Sequence, residues 1–134
     1  MKTASAMLIA LVLLPVSAAL AATAEPTSSA MQWVTMIDKG QYAQGYADGS
    51  AVFQAGVTEA AFEGTTKLYR ETVGSELHRD VEGVSMAGDL ANLPAGQYAV
   101  VHFHTEFAKK KDAQEVVYLA YQNGLWRVAA YDIK

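Results

Sequence analysis

His102-Phe103-His104-Thr105-Glu106 is the segment of this chain whose residue types and spacing come nearest to chemistry. On an extended strand alternate side chains project to one face, so His102, His104 and Glu106 share a side. An imidazole pair two residues apart can hold a divalent metal, with Glu106 or His78 as third ligand. The same pair can titrate near neutral pH as a general acid or base, oriented by Tyr118 or Arg127 on a neighbouring strand. A stripe of polar residues opposite Val101 and Phe103 is also what the solvent-facing side of an antiparallel sheet looks like, and that reading needs no ligand. His102, His104, Tyr118, Arg127 and Tyr131 are therefore the candidate ligand-contacting residues, with no catalytic set, metal or cofactor predicted. If Phe103 stands beside Leu119, His104 faces Tyr118; the strand register decides, and an even or odd loop at Lys109 to Asp112 leaves it open.

No phosphate-cradling glycine loop, nucleophile elbow, zinc-binding helix or thiol is present. Glu115 and Asp132, near strand ends, read as an exposed acidic corner rather than a catalytic pair. The triple lysine at 109 to 111 reads as a solvated hairpin tip that discourages edge aggregation.

The elements that must position these residues follow an N-terminal export pattern. Met1-Lys2 is a short positive region, Ala6 to Leu14 an apolar core, and Ala19-Leu20-Ala21 and Ala22-Thr23-Ala24 both offer small-x-small cleavage sites. A cleavable signal over 1–24 and a periplasmic or secreted destination are expected, with no lipid-accepting cysteine. Removing 24 of the 134 residues leaves 110, enough for one domain and too few for two. Lys2 goes with them, so 10 basic and 14 acidic residues become 9 and 14 and the net charge is −5. That balance disfavours nucleic acid and anionic membranes as partners. With no cysteine, stability must come from a packed core.

Ser29 and Gln32 have capping-box spacing, Trp33 and Ile37 share a face, and Gly40 suits the end of a first helix. Tyr42, Tyr46, Gly49 and Phe53 predict a second helix, with Gly45 and Gly49 forming a bare strip for close packing. Thr58 caps a third, whose buried face is Phe62, Thr66, Tyr69 and Val73 and whose end is Gly74. Beyond Gly74 the period falls to 2. Leu77 to Met86 is a strand with a bend at Gly83, Asp89 to Gly96 a loop, and Gln97 to Ala108 the clearest strand. Glu115 to Gln122 and Leu125 to Ile133 form a hairpin on Asn123-Gly124, a type I′ turn. That loop pairs Tyr121 with Trp126, Leu119 with Val128 and Val117 with Ala130 on the core face, with Trp126 buried. Helices followed by an antiparallel meander of about four strands define an α+β domain over 25–134, its N-terminal helices on one face of a curved sheet.

Trp33 to Tyr42, Arg70-Glu71-Thr72-Val73-Gly74, Gly96 to Val101, Thr105-Glu106-Phe107-Ala108 and Asn123 to Tyr131 together resemble, in that order, the exported bacterial domain-of-unknown-function family 4019 (DUF4019). The likeness spans nearly the whole of 25–134. Phe62 and Tyr46 stand where tryptophan is expected, and Ala130 where glycine is usual. The resemblance implies a cystatin-like or nuclear-transport-factor-two-like shape and brings no catalytic residues. The functional expectation is a non-catalytic binding or interaction module for a small molecule or envelope protein, monomeric or weakly dimeric. The alternative is a small acid/base enzyme or metal binder using the His102/His104 face.

Overall fold

The computed structural model describes residues 25–134; the predicted signal lies outside the described residues. Four helices come first: α1 (Pro26–Asp38), α2 (Tyr42–Ala47), α3 (Ala51–Gly56) and α4 (Glu59–Val73). Four strands follow: β1 (Glu76–Ala87), β2 (Tyr98–Phe107), β3 (Lys110–Gln122) and β4 (Leu125–Ile133). They form one antiparallel sheet in the order β1-β2-β3-β4, with the helices on one face, so the α+β expectation holds. No helix among the described residues is long and apolar enough to cross a membrane.

The first helix starts earlier than its capping-box spacing suggests. Pro26 takes the first turn, where its missing N–H costs nothing, and Glu25 occupies the cap position without a side-chain bond. The predicted second helix is two. Ser50 interrupts it and caps α3 by accepting from the Phe53 N–H at 3.1 Å, so a hydroxyl with a better local partner breaks the ladder. Gly45 does permit close approach: a Cβ there would meet Ile37 Cδ1 at 2.9 Å, and the Trp33 indole donates to the Gly45 carbonyl at 2.9 Å. Thr58 caps α4 and Gly74, at φ 82°, ends it. The buried face of α4 is Phe62, Thr66, Arg70 and Val73; Tyr69 is 53% exposed and yields its inward position to an arginine.

Val101, Phe103, Val117, Leu119 and Val128 make the sheet's half of the main core against Ala30, Trp33, Val34, Ile37, Phe53 and Phe62. A smaller core lies on the opposite face. There Leu90 and Leu93, from the loop between β1 and β2, pack on Tyr98, Ala120 and Ala129, leaving Tyr98 only 2% exposed. The sheet's outer face is thus half covered rather than wholly wet.

Register differs from the expectation in two places. Asn123 and Gly124 both take positive φ, 52° and 80°, as the turn requires, and Tyr121 pairs Trp126 and Leu119 pairs Val128. Between Tyr118 and Leu119 the ladder shifts, so Ala129 is an extra residue, Val117 faces Tyr131 instead of Ala130, and Tyr131 turns to the helix side. At the other hairpin β3 already begins at Lys110, so the turn is Ala108-Lys109 and Lys110 to Asp112 belong to the strand. Phe103 stands beside Glu115, not Leu119, which places His104 opposite Gln114 and Tyr118 opposite Val100. Trp126 is only partly buried, at the margin of the core.

Candidate functional site

Glu115 is the most unusual residue in the molecule. Alternation along β3 puts it in phase with Ala113, Val117 and Leu119, so it points into the helix-side core and is 0% exposed. It is not the corner residue its position near a strand end suggests. Asp132, opposite Val116 on β4, is exposed on the other face. A bare carboxylate cannot survive such burial, and four donors compensate it. Oε1 accepts from Arg79 Nε at 2.7 Å and from the Thr105 hydroxyl at 2.5 Å. Oε2 accepts from the Tyr131 hydroxyl and from Arg70 Nη1 at 3.5 Å.

Both arginines continue to Asp38, the last residue of α1. Arg79 Nη1 and Nη2 reach its two oxygens at 2.7 and 2.9 Å in a bidentate pair, and Arg70 Nη2 adds a third bond. Arg70 Nη1 also donates to the Tyr131 hydroxyl at 3.2 Å. The Arg70 guanidinium lies over Phe107, 4.9 Å from the ring centre, and that of Arg79 near Phe103 at 5.9 Å. Two cations against two carboxylates make a neutral cluster joining α1, α4 and all four strands.

Burial pushes the Asp38 carboxyl up, but hydrogen bonds and charge from Arg79 and Arg70 outweigh it and hold the group below its ordinary value. Burial, and then the neighbouring Glu115, push the Tyr131 phenol well above its ordinary value, so it stays a neutral donor. Burial opposes the charge on Arg79, and the hydrogen bonds and charges of Asp38 and Glu115 more than restore it. Among the described residues no buried side-chain nitrogen or oxygen lacks a partner. Every lone pair of Glu115 is committed, so this cluster has the chemistry of a clamp and not of a base awaiting substrate.

The five candidate residues do not converge. His102 and His104 lie on the outer face of β2, as alternation predicts, with His104 opposite Asp80 and His102 opposite Val116. His104 Nε2 meets Asp112 Oδ1 at 2.8 Å, and His78 Nε2 meets Asp80 Oδ2 at 2.9 Å. The Asp112 hydrogen bond raises the His104 pKa, slight desolvation opposes it, and the charges of Asp112, Glu82 and Asp80 add to the rise. Tyr118 is on that face but opposite Val100, about 13 Å along the strand from the level of His104. Arg127 lies at the far edge, its Nη1 3.4 Å from the Asp48 carbonyl. Tyr131 is on the other side of the sheet, in the charge cluster. No group of three or more His, Asp or Glu residues able to hold a metal occurs among the described residues.

The residues missed from sequence are Asp38, Arg70, Arg79, Thr105 and Glu115. Two left a signal: Arg70 falls four after Thr66 on the buried helical stripe, and Glu115 two before Val117 on the buried strand stripe.

One open concavity, of about 320 Å³, reaches the clamp at Asp38 and Arg70 beside Ile37, Tyr42, Lys67 and Glu71; the others lie away from its charges. One, of about 330 Å³, is bounded by Val52, Phe53, Val57, Phe62, Leu93 and the edge of β4. A second, of about 250 Å³, continues from it through the shared residues Thr65, Thr66 and Tyr131 to Tyr69 and Ile133. Together they form a groove between α4 and the free edge of β4. A third, of about 190 Å³, lies between α1 and the start of β4 beside Trp33, Met36, Trp126 and Arg127.

No curated protein matches the chain. Residues 29–131, from within α1 to Tyr131, match the profile of the family described as "protein of unknown function (DUF4019)", so the clamp, and the groove up to Tyr131, lie on the shared domain, and the chain belongs to that family.

Proposed function

We propose that this protein is an exported, non-catalytic binding module of the cell envelope or extracellular space, and that its ligand-facing surface is the groove between α4 and β4. Export rests on the charged start, apolar run and small-residue sites of 1–24. Helices laid over a meander sheet are compatible with a cystatin-like or nuclear-transport-factor-two-like shape, which hosts binders and enzymes alike. The observation that carries the binding reading is the contrast between two places. The buried charges are saturated by one another, whereas the groove is walled by half-buried Val52 and Val57 over a floor of buried Phe53 and Phe62. An apolar concavity with a few polar groups at its rim is the usual form of a ligand site.

The rival reading is acid/base catalysis at His104, favoured by its hydrogen bond to Asp112 and its raised pKa. Against it stands the setting: His104 is about 40% exposed and Asp112 about 93%, on an open sheet surface with no wall to exclude water. A thermal-shift screen of envelope metabolites, followed by turnover assays on every hit, decides between the two. Stabilising hits abolished by Thr65→Arg and unaffected by His104→Ala are the expected result. Turnover lost in His104→Ala would overturn the binding reading.

A further inference from the structure

Three features converge on the edge of β4. The first is hydrogen-bonding capacity. Lys134 and Gln114 exchange both main-chain bonds, at 2.9 and 2.8 Å. In an antiparallel ladder such pairs alternate with pairs whose N–H and C=O groups point away from the partner strand. Ile133, opposite Glu115, and Tyr131, opposite Val117, are therefore the residues of β4 whose main-chain groups turn outward. Val128, opposite Leu119, has the same orientation, and its outward carbonyl is already taken by the Ser50 N–H at 2.8 Å. The chain thus covers the first half of this edge itself and leaves the second half open along the groove.

The second feature is the opposite wall. At 100° per residue, α4 turns Phe62, Thr66, Arg70 and Val73 inward and Glu63, Lys67 and Glu71 toward one flank. On the other flank Ala61, Thr65 and Tyr69 line the groove beside β4, and Leu68 and Thr72 continue this uncharged stripe outward, with Leu68 and Tyr69 64% and 53% exposed. A surface helix normally has one uncharged stripe, facing its core. This one has a second, bordering a free strand edge in a domain with 14 acidic and 9 basic residues.

The third is size. From Ala129 to Ile133 the open edge is about 13 Å long, the span of one short strand. α4 runs beside that edge, so two copies paired β4 to β4 would bring their α4 helices into the same space. A single extended chain fits where a second domain does not.

We infer that this groove accepts an uncharged, extended peptide segment of another protein, added to β4 as a fifth strand. Main-chain bonds to Tyr131 and Ile133 hold it, and its alternate side chains enter the apolar walls at Val57, Ala61 and Thr65. The inference rests on the binding-module reading and narrows it to a polypeptide partner. The walls set the partner's composition: a charged side chain would lose its water against Val57, Ala61 and Thr65, and Asp132 at the rim beside Ile133 is the one charged residue lining the groove.

The test is selection of a random hexapeptide display library, flanked by Gly-Ser linkers, on the exported domain. Two variants serve as counter-targets. Ile133→Pro removes an outward N–H that takes no part in the ladder, a place where an edge strand tolerates proline. Thr65→Arg puts a charge and bulk into the groove from an exposed helix position, and unchanged urea midpoints verify both folds. The expected result is enrichment of uncharged alternating sequences whose binding falls at least tenfold on each variant, with slowed amide exchange at Tyr131 and Ile133. No enrichment over the two variants, charge-dominated sequences, or equal binding to Ile133→Pro would overturn strand addition. A small-molecule hit that fills the groove indifferently to Ile133→Pro would overturn it too, yet leave the binding-module reading standing; turnover lost in His104→Ala removes that reading itself.

Discussion

Replacing Arg79 with methionine keeps the aliphatic volume but takes away the donors to Asp38 and Glu115, leaving Glu115, in the core, with Thr105, Tyr131 and the more distant Arg70. Breaking a buried ion pair from one side costs about 3–5 kcal/mol, because the stranded charge remains desolvated. The Arg79→Met variant should lose stability on that scale in urea titrations, and a midpoint near wild type would show that the clamp is dispensable. Asp38 adds a pH signature. Its carboxyl is held below the ordinary value, so the stability it contributes is complete above the ordinary carboxylate range and is lost as pH falls through the folded value. Acid titration followed by near-ultraviolet circular dichroism should show a loss below that range, flattened in Asp38→Asn. His104 has the opposite sign. Its raised pKa means the His104 to Asp112 contact contributes below the ordinary histidine value and fades as pH rises through the higher folded one; at an exposed site that slope should be small, and His104→Ala should leave the urea midpoint near wild type.

At the scale of elements, two turns and one loop carry the geometry. Gly124 sits at φ 80°, where a Cβ would meet no neighbouring atom, so Gly124→Ala tests backbone strain alone. A cost of about 1 kcal/mol is expected from urea midpoints, and a neutral result would mean that the hairpin relaxes to another turn. The loop from Gly88 to Gln97 is fixed by the Tyr98 hydroxyl on the Pro94 carbonyl at 2.5 Å and by Leu90 and Leu93 on the outer face. Leu93 also borders the groove, so Leu93→Ala should weaken ligand retention more than it weakens the fold. Trp126 is partly buried at the margin of the core, and its replacement by alanine should cost less than truncating Phe103, which is 0% exposed. Equal midpoint losses would place Trp126 in the core after all.

For the whole molecule, the clamp determines how the layers are joined. Asp38 closes α1, Arg70 is near the end of α4, and Arg79, Thr105, Glu115 and Tyr131 come one from each strand, so six elements meet at one neutral knot near one end of the sheet. Elsewhere the layers are joined by apolar packing around Trp33, Phe53 and Phe62 and by neutral or peripheral hydrogen bonds such as Ser50 N–H to the Val128 carbonyl. Hydrogen exchange should find the amides of Glu115 to Leu119 among the slowest to open, since they lie between the knot and the main core, and the outward amide of Ile133 among the fastest. Slow exchange at Ile133 in the isolated domain would mean that the β4 edge is already covered and the groove closed.

Sequence alone determined what depends on neighbours along the chain. Period and punctuation placed the α4 cap at Thr58, its end at Gly74, the I′ turn at Asn123-Gly124, the bend near Gly83 and the α+β order, because caps, turns and strand alternation are local physics. The α1 start and the Ser50 break were misread where a local alternative won: proline at the first turn, and a serine better used as a cap than inside a helix. What only the tertiary structure decided was pairing. A single extra residue at Ala129 turns Tyr131 from the outer face to the core, and the Ala108-Lys109 turn together with the register shift between Thr105 and Phe107 sets Phe103 beside Glu115 rather than Leu119. With those two registers the histidine face opens to solvent and the charged residues meet inside. Neither shift leaves a mark in local composition: the one-residue slip at Ala129 reverses the side chains beyond it, and the four-residue displacement of Phe103's partner keeps every face, while the sequence pattern stays the same.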